Sequence, residues 1–370
     1  MKLTKIKLVN FRNYSNISIS FSDRLNILIG DNAQGKTNVL EAIVFLALTK
    51  SHRVVTNANV IKLGKQKAIV QGFVKKDKLM SKLEIELFEK EKLVKVNNDE
   101  VKRISDYISN LNIIVFTPDD LEIIKGSPNI RRGLLNIQLS QVSKVYLNTY
   151  NEYNKILKTR NEYLKVLFNN SIADRKYLDI ITDKLIEKAI IIYEKRRDYI
   201  AEINKKINEY YKEISDFSGL KVCYLPNISF TSYDRDSMKK EMEDIYKNNY
   251  LKELNYGMTI YGPHRDDFSF IYNDMDMKIY SSQGQQKMAV MAFKLSEINI
   301  FESYSSTSPI LLLDDIFGEL DVKKRNKLLK LINSKQIQSI LTTTDLRNIN
   351  KKYLVDASIY EVKNGCVERK

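Results

Sequence analysis

Residues 30–37, Gly30-Asp31-Asn32-Ala33-Gln34-Gly35-Lys36-Thr37, follow the pattern GxxxxGK[ST]. Upstream, Leu25-Asn26-Ile27-Leu28-Ile29 is a short apolar run that reads as a buried strand. Downstream, 38–48 reads as a helix, with Val39, Ile43, Leu46 and Ala47 at helical spacing. Strand, glycine loop and helix in this order form a cradle for phosphate. Successive loop N–H groups and the positive helix end face the anion, and glycine lets the backbone approach closely. In such a loop Lys36 reaches the β- and γ-phosphates, and the Thr37 hydroxyl binds Mg²⁺. Glycine is scarce here, twelve in 370 residues, so this loop is not one glycine turn among many.

A second apolar run, Pro309-Ile310-Leu311-Leu312-Leu313, ends in Asp314-Asp315. A buried strand that delivers a carboxylate beside a phosphate loop is the Walker B arrangement. Asp314 is expected to hold Mg²⁺, directly or through water. Asp315 is expected to orient or deprotonate the attacking water. Just before this strand, Tyr280-Ser281-Ser282-Gln283-Gly284-Gln285-Gln286-Lys287 opens a helix expected over 283–300, with Met288, Met291, Leu295 and Ile298 on one face. A serine N-cap followed by glycine and glutamine makes a helix start suited to an anion.

The two halves of the site are too far apart in sequence for one compact nucleotide domain, so the intervening chain is read as an insertion. Residues 143–168 place Tyr146, Tyr150, Tyr153, Leu157, Leu164 and Leu167 on one helical stripe. A second long helical pattern covers 177–214, and Asn169-Asn170-Ser171 reads as the turn between them. The stripe aromatics are read as packing. Lys195-Arg196-Arg197 is read as a solvated helix face, with DNA phosphates as a further use. The expected divisions are 1–125, an N-terminal half-head with an antiparallel lobe over 61–97; 126–254, the mainly helical arm; and 255–370, the C-terminal half-head. The segment 219–230 reads as extended chain.

Composition narrows the classes. No run approaches eighteen consecutive apolar residues, so no membrane span is expected. The alternating start, Met1 to Lys7, reads as a strand and not a signal peptide. Cys223 and Cys366 are the only cysteines, and His52 and His264 the only histidines. That pattern fits a cytoplasmic protein without a disulfide framework or a zinc site. The formal charge of +14 favours a polyanionic partner such as DNA, but the excess is spread along the chain and marks no one surface.

These motifs in this order, split by an insertion, resemble an α/β fold of ABC type, SMC/Rad50-head-like: a P-loop ATPase domain split by a helical arm domain. The stretches Asn10-Phe11-Arg12-Asn13-Tyr14, Ser51-His52-Arg53, Val115-Phe116-Thr117-Pro118-Asp119-Asp120 and Lys125-Gly126-Ser127-Pro128 with Arg131-Arg132 narrow the match. So does Tyr261-Gly262-Pro263-His264-Arg265-Asp266-Asp267. Together they resemble the RecF family of bacterial recombination mediators, nearly end to end. The resemblance implies ATP held by Gly30, Asp31, Asn32, Ala33, Gln34, Gly35, Lys36 and Thr37, with Mg²⁺ at Thr37 and Asp314. It implies a catalytic role for Asp315 and Lys36. Ser282, Gly284 and Gln285 would contact nucleotide across an ATP-dependent homodimer. Asp321, in Gly318-Glu319-Leu320-Asp321, matches a loop that passes between the paired sites. The partners implied are single-stranded and duplex DNA at gaps, RecR, RecO and RecA.

Three departures from the general ABC pattern bear on rate. Gln283 replaces the first signature glycine, the Q-loop position falls on Asp119, and the switch histidine is absent from Ile340-Leu341-Thr342-Thr343-Thr344-Asp345. There Thr344 is the expected substitute. A shorter acid at Asp315 and no histidine imply slow hydrolysis, with ATP acting mainly as a dimerisation switch. The competing readings are a transporter ATPase subunit, a scaffold that binds ATP without using it, and a Rad50-like nuclease partner. The missing histidine, the retained acids and the short arm count against them in turn.

Overall fold

A computed structural model of the chain describes all residues except His52, Val54, Val55, 171–173, Ser306 and Asn348, and the side chains of Asn57 and Glu319. The expectations for His52 and for Ser171 therefore lie outside the described residues. The chain forms two units: Met1–Leu121, Glu209–Ser218 and Lys287–Lys370 make the first, and Glu122–Asn208 with Gly219–Gln286 the second.

The first unit holds two six-stranded sheets. One runs in the order Tyr14–Ser20, Lys2–Phe11, Ala68–Lys76, Leu79–Leu87, Lys92–Val96, Asp99–Glu100, and its neighbours pair antiparallel. Period-two patterning explains it. Leu83, Ile85 and Leu87 are buried, while Glu84 and Glu86 face outward and pair with Lys82, Lys95 and Lys67. The alternation of the first strand is interrupted by a register shift between Leu3 and Lys5. Gly72 sits where a β-carbon would come within 2.2 Å of Leu46, on the helix Lys36–Leu48. This close approach is what the strand glycine permits.

The other sheet carries the nucleotide motifs. Its order is Cys366–Arg369, Ser358–Lys363, Leu25–Ile29, Ser339–Thr343, Ile310–Leu313, Ile113–Phe116. All neighbours are parallel except the terminal hairpin. Continuous apolar runs such as Ile310–Leu313, buried at every position, are what a sheet covered on both faces requires. The strand Ser339–Thr343 separates the two motif strands and aligns their carboxyl ends. In open α/β sheets ligands bind at these ends.

In the second unit the helices Lys144–Asn169 and Arg175–Asn204 pack antiparallel. Contacts join Leu167 to Leu178, Arg160 to Thr182, and Tyr146 to Arg196. At 26 and 30 residues they are about 40–45 Å long. The pattern expected to continue to 214 breaks at Lys205–Lys206, and a separate helix, Ile207–Ser215, follows. The apolar periodicity persists, but asparagine chemistry wins. Asn204 exchanges two hydrogen bonds with the Val222 backbone, and Asn208 Oδ1 accepts from the N–H groups of Gly219 and Leu220. The tail of that helix belongs to the first unit, where Asp216 pairs with Lys323 and Lys327.

Arg196 is not on a solvated face. It is 1 % exposed and donates to Asp266 (2.8 Å), to the Pro263 carbonyl (2.5 Å) and to Asn136 (2.9 Å). Its neighbours Lys195 and Arg197 are partly exposed, with Arg197 stacked on Tyr233 and paired with Asp198. Tyr146, Tyr153, Tyr193 and Tyr199 are buried, as packing residues should be.

His264 lies in the same core. Its Nε2–H donates to the Thr259 carbonyl (3.1 Å), which leaves Nδ1 to accept from the Tyr153 hydroxyl (2.6 Å). Burial, with Arg265, Arg132 and Arg196 nearby, pushes its pKa down from 6.5 to about 4. Between those values the unfolded chain binds the proton and the folded one does not. Unfolding free energy should therefore fall as pH is lowered from about 6.5 to about 4, by at most about 1.4 kcal/mol per pH unit from this group. Urea titrations of wild type and His264→Gln across that window check this; the variant should lose that part of the slope.

Candidate nucleotide site

Strand Leu25–Ile29 ends where the phosphate loop begins, and the loop leads directly into helix Lys36–Leu48. Asp31, Asn32 and Ala33 are exposed, while Gly35 and Lys36 are buried. Gly35 has φ 114°, and a β-carbon there would stand 2.6 Å from Asn13 Nδ2 and 2.7 Å from the Tyr14 hydroxyl. At Gly30 a β-carbon would meet the Val362 carbonyl oxygen at 2.2 Å. Both glycines are thus required by packing.

Lys36 folds back over its own loop. Its Nζ donates to the Gly30 carbonyl (2.6 Å) and the Asp31 carbonyl (2.8 Å). Burial lowers its pKa, and the charges of Asp315, Asp31 and Asp314 oppose that shift. An incoming polyphosphate acts in the same direction as those carboxylates and holds the ammonium charged.

The two motifs meet across the sheet. The Thr37 hydroxyl donates to Asp314 Oδ1 at 2.9 Å. The Thr342 hydroxyl donates to the same oxygen at 2.8 Å, and Thr342 Oγ1 in turn accepts from the Asp315 N–H at 2.8 Å. Asp315 itself adopts a left-handed backbone, φ 46° and ψ 21°. A non-glycine residue persists there only where its surroundings hold it. Hydroxyl and carboxylate oxygens a hydrogen bond apart are the hard donors that Mg²⁺ takes alongside phosphate oxygens. The donor set fits Mg²⁺ with ATP.

Around the loop stands a polar brace that the motif alone did not foretell. Asn13 Nδ2 donates to the Gln34 carbonyl and its Oδ1 accepts from Asn38. The Tyr14 hydroxyl donates to the Gly35 carbonyl (2.9 Å), and the Asn364 N–H donates to Gln34 Oε1 (2.7 Å). Glu41, fully buried one turn along the helix, accepts two hydrogen bonds from Arg12 and one from Ser51, with Arg53 at 3.4 Å. Burial would raise its pKa, but these donors hold it below the usual glutamate range. The Asn10–Tyr14 stretch and the Ser51/Arg53 stretch therefore converge on one helix. Only their resemblance was legible beforehand, not this geometry.

The remaining expected residues stand as follows. Asp321 caps helix Val322–Ser334, accepting from the Lys324 N–H (2.8 Å). Thr344 is exposed just past the strand Ser339–Thr343, whereas Thr342, two residues earlier and fully buried, makes the contacts to the acids. Asp119 is exposed, and Asp120 beside it binds Lys294 (2.5 Å) and the Thr117 backbone. In the second unit Ser282 and Gln285 cap each other. The Ser282 N–H donates to Gln285 Oε1 (2.9 Å), and the Gln285 N–H donates to Ser282 Oγ (3.3 Å). Gly284 beside them is exposed, with no atom closer to its would-be β-carbon than Ser282 Oγ at 4.0 Å.

A phosphate loop and a strand-end acid pair on one largely parallel sheet are the marks of a P-loop protein. The family model described as "RecF/RecN/SMC N terminal domain" matches residues 2–368. The chain is 39 % identical to the DNA replication and repair protein RecF of Halalkalibacterium halodurans, over the whole of both chains. It belongs to the RecF family. A solved structure of the recombination mediator protein RecF-ATPrS in the RecFOR pathway superposes with TM-score 0.91 at 30 % identity, covering 100 % of this chain and 98 % of that one. The Smc head domain of Pyrococcus furiosus, at 16 % identity and TM-score 0.57, covering 100 % of this chain and 95 % of that one, shares the fold. Among the described residues no helix is long and apolar enough to cross a membrane.

The tight contact at Gly30 gives a direct check. Gly30→Ala forces the β-carbon onto the Val362 carbonyl, an overpacking expected to cost about 1–3 kcal/mol. Differential scanning fluorimetry should show a lower melting temperature, and titration with a fluorescent ATP analogue should show weakened binding.

Proposed function

We propose that this chain is an ATP-dependent DNA-binding mediator of recombinational repair, acting with RecO and RecR to place RecA at single-strand gaps, and so serving replication restart and the SOS response in the cytoplasm. The observation that carries the reading is the Thr37–Asp314–Thr342 junction, in a chain similar along its whole length to RecF.

In this reading the loop amides of 30–37 and Lys36 bind the triphosphate, and Thr37 and Asp314 hold Mg²⁺. The metal supplies charge neutralisation at the phosphate oxygens. Asp315 orients the attacking water. Ser282, Gly284 and Gln285 of a second copy meet the γ-phosphate, so that nucleotide is shared between two protomers. Asp321 and Thr344 line the approach between the paired sites. The segment 126–254 is an arm inserted in the head, and the closed pair grips duplex DNA beside a gap. DNA contacts are mainly to phosphates and carry little sequence information.

Gel filtration tests the switch. Wild type should run as a monomer without nucleotide, Asp315→Asn should give a trapped dimer with ATP, and Lys36→Ala should remain monomeric. A Lys36→Ala protein that dimerises normally with ATP overturns the reading. Turnover should stay below about 10 s⁻¹, the median for enzymes. Duplex affinity, followed by fluorescence anisotropy with ATP present, should fall steeply between about 50 and 200 mM salt.

A further inference from the structure

The hydroxyl of Thr342 stands between the two strand-end acids, and nothing in the phosphate-loop or acid-pair motifs assigns it a task. We propose that Thr342 is a positioning residue that couples the metal-binding carboxylate of Asp314 to the backbone of Asp315. The inference rests on the ATPase reading above.

The geometry makes the case. Thr342 is 0 % exposed on the strand between the two motif strands, so its side chain has no water to turn toward. Its single proton goes to Asp314 Oδ1, and its oxygen accepts from the Asp315 N–H. A hydroxyl can do both at once, because it is a donor and an acceptor in one group. Asp314 Oδ1 also accepts from Thr37, so the Thr342 bond fixes the orientation of the carboxyl group that the phosphate-loop threonine faces. On the other side, the Asp315 N–H bond helps hold a left-handed backbone that an aspartate would otherwise leave. A change in the load on Asp314 is therefore passed through one oxygen to the residue proposed to orient water. Thr344 is exposed and lies beyond the end of this strand.

Two variants test it: Thr342→Val, which keeps the branched shape without the hydroxyl, and Thr342→Ser, which keeps the hydroxyl. Steady-state ATPase kinetics, ATP affinity by calorimetry, and the Mg²⁺ concentration giving half-maximal ATP-induced dimerisation are measured on the full chain. Thr342→Val should lower kcat about 10–100-fold and raise the Mg²⁺ requirement by a similar factor, as loss of a residue that orients a metal ligand does. Its ATP affinity at saturating Mg²⁺ should stay within about threefold of wild type. Thr342→Ser should recover both quantities. Unchanged kcat and Mg²⁺ requirement in Thr342→Val overturn the proposal. So does a loss of ATP affinity at saturating Mg²⁺ that accompanies any loss of rate, since that marks a merely structural residue. If wild type itself fails to hydrolyse ATP, the ATPase reading falls and the Mg²⁺ requirement alone decides the coupling.

Discussion

The hydrogen bond from Thr37 to Asp314 joins residues 277 apart in sequence, and the first unit is organised around making it. Neither partner can be placed by its own segment. Thr37 is aimed by the helix that follows the phosphate loop, and Asp314 by a buried strand two positions away in the sheet. The strand between them, Ser339–Thr343, sets their separation through parallel pairing with both sides. A one-residue slip in either register would turn Asp314 to the other face of the sheet. The apolar runs that fix those registers thus act on chemistry as well as on burial.

The second unit relies on a different kind of constraint. Arg196 with Asp266 and Arg160 with Glu253 are ion pairs almost fully removed from water. Taking such charges out of solvent costs several kcal/mol for each ion, so these pairs are weak evidence of stability. Their geometry is specific, however. Arg160 bonds Thr182, Thr259 and Glu253 at once, and Asp266 accepts from Arg196, Tyr224 and the Asn227 N–H. Each network ties segments distant in sequence, and an apolar replacement would supply no such directionality. Burial also explains why Asp266 is raised in pKa despite those donors.

Much of this was readable from the chain. The phosphate loop, the acid-ending strand and the serine-capped helix are local patterns, and each stands where its spacing placed it. Helical periodicity located the long pair of the second unit to within about two residues at most ends. What escaped was set by partners far away in sequence. The interruption after Asn204 depends on a strand that begins sixteen residues later. Arg196 looked like a surface basic residue because its acid lies seventy positions on. Thr342 was hidden among three consecutive threonines, and what separates it from Thr344 is that the strand ends at Thr343. Side-chain periodicity says which face a residue takes, but not which oxygen waits there.

The parallel sheet also orders events during synthesis. The strand Leu25–Ile29 has Ser339–Thr343 on one side and Ser358–Lys363 on the other, both near the opposite end of the chain. A ribosome adding about 5–20 residues per second leaves that apolar strand without either neighbour for roughly 15–60 s. The antiparallel lobe, whose strands are close in sequence, can form within that interval. A nascent chain of this kind carries an unfinished hydrophobic edge for most of its time on the ribosome, which makes it a natural client for chaperones that shield such edges.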